Sequence, residues 1–128
     1  MRVTLITATY NSERYLADAI ESILSQTHPD IEHIIVDGKS GDGTVAIIRR
    51  YENRIARWLS ETDRGMYDAI NKGMQMATGE IIGILNSDDM LASDDVVAEI
   101  VRTFEEKKID SLYGDLELLA CEQFFQLF

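Results

Sequence analysis

The chain of 128 residues has one cysteine, Cys121, and one proline, Pro29. A single thiol rules out an internal disulfide and a cysteine zinc cluster, and the residue reads as an inert free thiol near the end of the chain. No Pro/Gly/Ser-rich linker, charge block or internal repeat interrupts the sequence, so a single domain over residues 1–128 is expected. Long apolar runs are also missing. The first one, Val3-Thr4-Leu5-Ile6, is too short for a signal peptide and nothing approaches membrane-spanning length. A cytoplasmic location is the default, with a peripheral position at the inner face of the membrane left open. Basic residues are scarce too: 12 Lys and Arg stand against 23 Asp and Glu, for a net charge of −11. Such a protein repels phosphate backbones, which argues against a nucleic-acid partner. A phosphorylated ligand would need local compensation from a divalent cation, an arginine or backbone N–H groups.

What is present is an alternation of short β-branched runs with amphipathic stretches. Strands are expected at Val3 to Thr7, Ile31 to Asp37, Arg57 to Glu61, Ile81 to Leu85 and Ile109 to Tyr113. Helices are expected at Ser12 to Gln26, Thr44 to Tyr51, Met66 to Ala77 and from a Ser93 cap to about Lys107. Ile81 to Leu85 is nearly uninterrupted and predicts a strand covered on both faces. The order implies an α/β three-layer sandwich with a mostly parallel sheet, whose ligands bind beyond the carboxyl ends of the strands.

Those strand exits are polar: Ala8-Thr9-Tyr10-Asn11, Asp37-Gly38-Lys39-Ser40, Thr62-Asp63-Arg64-Gly65 and Asn86-Ser87-Asp88-Asp89. Adjacent carboxylates at Asp88 and Asp89 repel unless a cation or donors offset them. Their hard oxygens suit Mg²⁺ or Mn²⁺, although Ser87 and Asp88 also suit a simple turn. Asp37 reads either as an acceptor for a base or ribose group or as part of a turn, with Asp42 capping the next helix. Gly38-Lys39-Ser40 is no phosphate loop, because the glycine required five positions earlier is His33. The first exit contains no glycine, which excludes a dinucleotide fingerprint, and no acidic pair, which argues against a phospho-accepting receiver. Tyr10 can lie on a planar base or plug the top of the sheet while Asn11 caps the helix. Arg64, just before the third helix, can reach a diphosphate or pair with Asp63 or Asp68; Asn71 follows one to two turns on. His28 and His33 have no partner at metal-ligand spacing and read as structural.

Together Leu5-Ile6-Thr7-Ala8-Thr9-Tyr10-Asn11, Ser22 to Thr27, Val36-Asp37-Gly38-Lys39-Ser40-Gly41-Asp42-Gly43-Thr44, Thr62 to Gly73, Ala77-Thr78-Gly79-Glu80 and Asn86-Ser87-Asp88-Asp89 resemble family 2 glycosyltransferases over roughly residues 3–115. The resemblance implies a GT-A fold whose N-terminal half binds a nucleoside-diphosphate sugar, UDP by family habit. It places Thr9 and Tyr10 at the base, Asp37 on uracil or ribose, Arg64 near base or phosphates, and Asn71 in the nucleotide site. Asp88 would bond ribose or sugar and Asp89 would hold Mg²⁺ or Mn²⁺. It further implies inverting transfer to a hydroxyl of a saccharide or lipid-linked acceptor. The chain departs from the family at Ala8, usually proline, and at Gly38, often a second acid. The family's base and acceptor-binding segment lie beyond the acidic pair, so Asp115 is the one local candidate base and the chain is expected to be a nucleotide-binding half. A non-catalytic nucleotide-binding or interaction module of the same fold is the alternative. The apolar tail, ending Phe124-Phe125-Gln126-Leu127-Phe128, predicts self-association.

Overall fold

In a computed structural model, residues 1–107, 109–112, 116–119 and 124–127 are described, the last two segments as backbone only. Four parallel strands form the main sheet: β1 (Val3–Thr9), β2 (Ile31–Asp37), β3 (Arg57–Ser60) and β4 (Ile81–Ile84), in the order β3-β2-β1-β4. The helices are α1 (Leu16–Leu24), α2 (Thr44–Arg50), α3 (Met66–Met76) and α4 (Val96–Lys107), with one 3-10 turn at Glu52–Arg54. Because strand side chains alternate between faces, Val3 and Leu5 of β1 meet Ala19 and Ile23 of α1 and Val97 and Val101 of α4, and Ile35 of β2 meets Ile48 of α2. Ile34 and Val36 point the other way, onto Ala69 of α3. The result is the expected three-layer α/β sandwich.

Three local expectations are corrected. Helix α1 starts at Leu16 rather than Ser12: residues 13–15 form a turn closed by Leu16 N–H on the Ser12 carbonyl (3.3 Å), while the N–H groups of Ser12 and Glu13 are satisfied by Thr44 Oγ1 (2.7 Å) and Asp42 Oδ2 (3.3 Å). Asn11 is no helix cap; with φ 48° it joins two strand exits, receiving Gly41 N–H on its Oδ1 and donating its own N–H to Ser40 Oγ, each at 2.8 Å. Strand β4 is bare on one face, with Ile82 43% and Ile84 49% exposed, since α3 packs across β1 and β2 and stops short of this edge strand.

No strand forms over 109–112. Instead a second, three-stranded sheet is built from β5 (Asp89–Leu91), β6 (Leu116–Leu119) and β7 (Phe124–Leu127). Strand β7 lies between β5, parallel, and β6, antiparallel. Strand β7, from the apolar tail, is therefore paired on both sides. Cys121 and Asp115 lie outside the described residues. No helix among the described residues is long and apolar enough to cross a membrane.

Candidate functional site

The exits of the four parallel strands line a cleft made of two adjoining cavities, about 630 and 460 Å³. Ala8, Tyr10, Ser12, Met66 and Ser87 border both, so the two are one continuous trough across the carboxyl edge of the sheet. The larger cavity runs toward β2 and β3, where Gly38, Lys39, Thr62 and Asp63 form its wall. The smaller runs toward β4, where Asn86, Ser87 and Asp88 close it.

Asp37 is the structural keystone of this edge. It is fully buried, and its two oxygens accept four hydrogen bonds: Oδ1 from Thr9 Oγ1 and Ser40 Oγ, each at 2.6 Å, and Oδ2 from Ser40 N–H at 2.9 Å and Ser60 Oγ at 2.7 Å. That is the whole accepting capacity of a carboxylate. Burial works to raise its pKa, yet the bonds from Ser40, Thr9 and Ser60 outweigh it and hold the group below the ordinary carboxylate value. Three strand exits are thereby fastened to one charge. Thr9 borders the larger cavity with its hydroxyl already committed, and Tyr10, 67% exposed, stands over the trough between the two cavities.

The acidic pair is split by the fold. Asp88 is exposed and lines the smaller cavity, whereas Asp89 is 5% exposed as the first residue of β5. Among the described residues Asp89 accepts one side-chain bond, from Asn86 Nδ2 at 3.2 Å. Burial, joined by the charge of Asp88, pushes its pKa up, and the Asn86 bond opposes only in part. Where Asp37 carries its own compensation, Asp89 carries little, which is the donor set a hard divalent cation completed by ligand oxygens requires. No cluster of three His, Cys, Asp or Glu side chains exists among the described residues, so a cation here would depend on ligand or water oxygens.

Arg64 and Asn71 are exposed and border neither cavity. Arg64 donates its backbone N–H to Asp68 Oδ2 at 3.0 Å and forms no salt bridge among the described residues. The cations on the trough wall are Lys39 in the larger cavity, held in the left-handed region at φ 63°, and Arg14 in the smaller. The place of Lys39 at a strand exit inside a polar loop is its signal in the sequence. Ser12, Thr62, Asp63 and Ser87 are further polar residues of the larger cavity's wall to which the sequence assigned no ligand-binding role. Gly65, with φ 113°, sits at the start of α3 in a conformation that suits glycine alone, and it lets Met66 turn into the trough.

Residues 4–118 match the family described as Glycosyl transferase family 2. The chain belongs to that family. An uncharacterized glycosyltransferase of Mycobacterium tuberculosis is 38% identical over 114 residues, covering 88% of this chain and 44% of its own length. A PGL/p-HBAD biosynthesis glycosyltransferase of Mycobacterium bovis is 34% identical over 117 residues, 88% of this chain and 46% of the relative. The chain thus spans less than half the length of these curated relatives. A mannosyltransferase from Pyrobaculum calidifontis, solved with GDP-Man and Mn²⁺, superposes with a TM-score of 0.76 at 31% identity, covering 88% of this chain and 34% of that one. S. aureus TarS, solved with UDP-GlcNAc, gives a TM-score of 0.87 at 24% identity, covering 95% and 36%. The fold of this family member is therefore GT-A, and its trough occupies the strand-exit edge of that fold.

Proposed function

We propose that the trough holds the nucleoside-diphosphate sugar of a metal-dependent, inverting glycosyltransferase, and that the chain is the donor-binding part of that enzyme. The observation that carries this reading is the contrast between the two buried acids. Asp37 is saturated by the protein itself, while Asp89, beside the exposed Asp88 at the β4 exit, lacks comparable donors. A buried carboxylate so weakly compensated is stabilised best by a cation brought in with the ligand. The Asp88–Asp89 pair would hold Mg²⁺ or Mn²⁺, and the Mn²⁺ in the GDP-Man complex of the 31% identical mannosyltransferase favours the same assignment.

When bound, such a cation supplies charge that stabilises the departing diphosphate. Asp88 faces the sugar-phosphate end, Tyr10 offers a flat face for the base, and Asp37 and Thr9 keep the strand exits in register beneath both. An acidic side chain that deprotonates the acceptor hydroxyl completes an inverting displacement. A saccharide or lipid-linked hydroxyl as acceptor fits the biosynthetic names of the relatives, among them Bacillus subtilis TuaG, named for teichuronic acid biosynthesis. UDP is the favoured nucleotide, and the use of a nucleotide sugar favours a cytoplasmic site of action.

The test is thermal unfolding of the purified chain against a panel of UDP-, GDP-, CDP- and ADP-sugars, with Mn²⁺ or with EDTA. A ligand at a hundred times its Kd adds about 2.7 kcal/mol of stability, a readily measured rise in Tm. The proposal expects a rise that needs both nucleotide and metal. A rise that survives EDTA, or none with any donor, contradicts it. Nucleotide binding with no sugar transfer to any acceptor would favour the non-catalytic module instead.

A further inference from the structure

The larger cavity contains one acidic side chain on its wall, Asp63, and its carboxylate lies flat over the Cα of Gly38. A Cβ added at Gly38 would fall 2.9 Å from Asp63 Oδ2 and 3.2 Å from Oδ1, so the glycine makes the room in which this carboxylate sits. Oδ1 accepts the Gly65 N–H at 3.0 Å, which orients the group, and no described residue donates to Oδ2. An acid fixed at one oxygen and unused at the other, on the wall of a cavity, accepts from a ligand.

The sheet order says which part of the ligand that is. Asp88 follows β4 and Asp63 follows β3, at opposite ends of the order β3-β2-β1-β4. Three strand spacings separate them, roughly 14 Å, comparable with the reach of an extended nucleoside diphosphate. With the diphosphate at the Asp88–Asp89 end, the ribose lies over the middle strands and the far edge of the base arrives at Gly38 and Asp63. Asp37, although nearer the middle, has no accepting position left.

We infer that Asp63 is the specificity-determining residue for the base. It accepts a hydrogen bond from a ring N–H, as uracil and guanine carry, and repels the lone pair that cytosine and adenine present at the matching nitrogen. This assignment rests on reading the trough as a nucleotide-donor site. It adds a selection rule to that reading: bases with a protonated ring nitrogen bind and those without are excluded.

UDP and CDP are the right pair of probes, since they differ only at this edge of the base. Calorimetric titration of the full chain with Mn²⁺ is expected to give UDP an advantage over CDP of about ten- to hundredfold. Asp63→Asn keeps an oxygen for the Gly65 N–H and adds an NH₂ that can serve cytosine, so the ratio is expected to collapse to within about threefold. Gly38→Ala must displace the carboxylate without changing charge, and is expected to erode the ratio as well. Urea unfolding of each variant shows whether it is folded. A ratio unchanged in folded Asp63→Asn overturns the assignment, as does equal weakening of UDP and CDP, which would mean a ribose contact or a framework role. A wild-type chain that binds neither nucleotide brings down the donor-site reading itself and this assignment with it.

Discussion

Replacing Asp37 by Asn separates a framework role from a ligand contact, because the two predict opposite pairs of effects. The carboxylate accepts from Thr9 and Ser40 hydroxyls at Oδ1 and from Ser40 N–H and the Ser60 hydroxyl at Oδ2. An amide must put its NH₂ at one of these ends. At Oδ2 it would face the fixed Ser40 N–H, so it settles at Oδ1, where both partners are hydroxyls able to rotate and accept. All four bonds lose their charge assistance, worth about 1 kcal/mol each at most, and part of that is returned because a neutral group is easier to bury. The expected loss is about 2–3 kcal/mol in urea unfolding at pH 7. The sign with pH follows from the lowered pKa: the stabilisation is complete above the ordinary carboxylate range and fades as pH falls through the native value. The gap between wild type and variant should therefore narrow in acid. Under conditions where the variant is folded, UDP affinity should change by less than about threefold, since no oxygen of Asp37 is available to a ligand. A variant within about 0.5 kcal/mol of wild type whose affinity falls tenfold or more would refute the argument and return Asp37 to the base or ribose.

Two further outcomes concern the sheet and its helices. Burial lowers the His33 pKa from 6.5 to about 4, so the unfolded chain takes up a proton that the native chain refuses; stability should fall as pH drops from about 6.5 to 4, by on the order of 3 kcal/mol in all. Asp89, whose pKa is raised, contributes with the opposite sign at the acid end. The check is accordingly the difference between wild type and His33→Gln in urea titrations at stepped pH, and a difference that does not vary with pH would dismiss the effect. A Cβ at Gly73 of α3 would meet Ile6 Cγ2 at 2.6 Å, and Ile6 is fully buried. Gly73→Ala should thus lose about 1–2 kcal/mol despite its better helix propensity, whereas Gly41→Ala, with nothing within 4 Å, should stay within about 0.5 kcal/mol.

The parallel sheet and its layers were legible because each element carries its own periodic signal. The apolar runs at Val3, Ile31 and Ile81 and the helical spacing of Leu16, Ile20 and Ile23 need no partner to be recognised. What covers a strand is a different matter, and Ile82 and Ile84 read as buried although no helix reaches them. Strand β5, only three residues long, has no pattern of its own and forms by pairing with β7. In the site, the strand exits were correctly located, but the state of each acid was not legible. Asp37 is closed off by hydroxyls from Thr9, Ser40 and Ser60, and Asp63 is admitted by the missing side chain of Gly38. Both depend on neighbours far apart in sequence, which local spacing does not reveal.

The most direct test of the donor-site account is calorimetric titration of UDP into the chain with Mn²⁺ and without it, repeated on Asp89→Asn. The account predicts binding that requires the metal in wild type and disappears in the variant, while urea unfolding shows the variant to be folded. Equal binding with and without Mn²⁺, or full metal-dependent binding retained by Asp89→Asn, would contradict it.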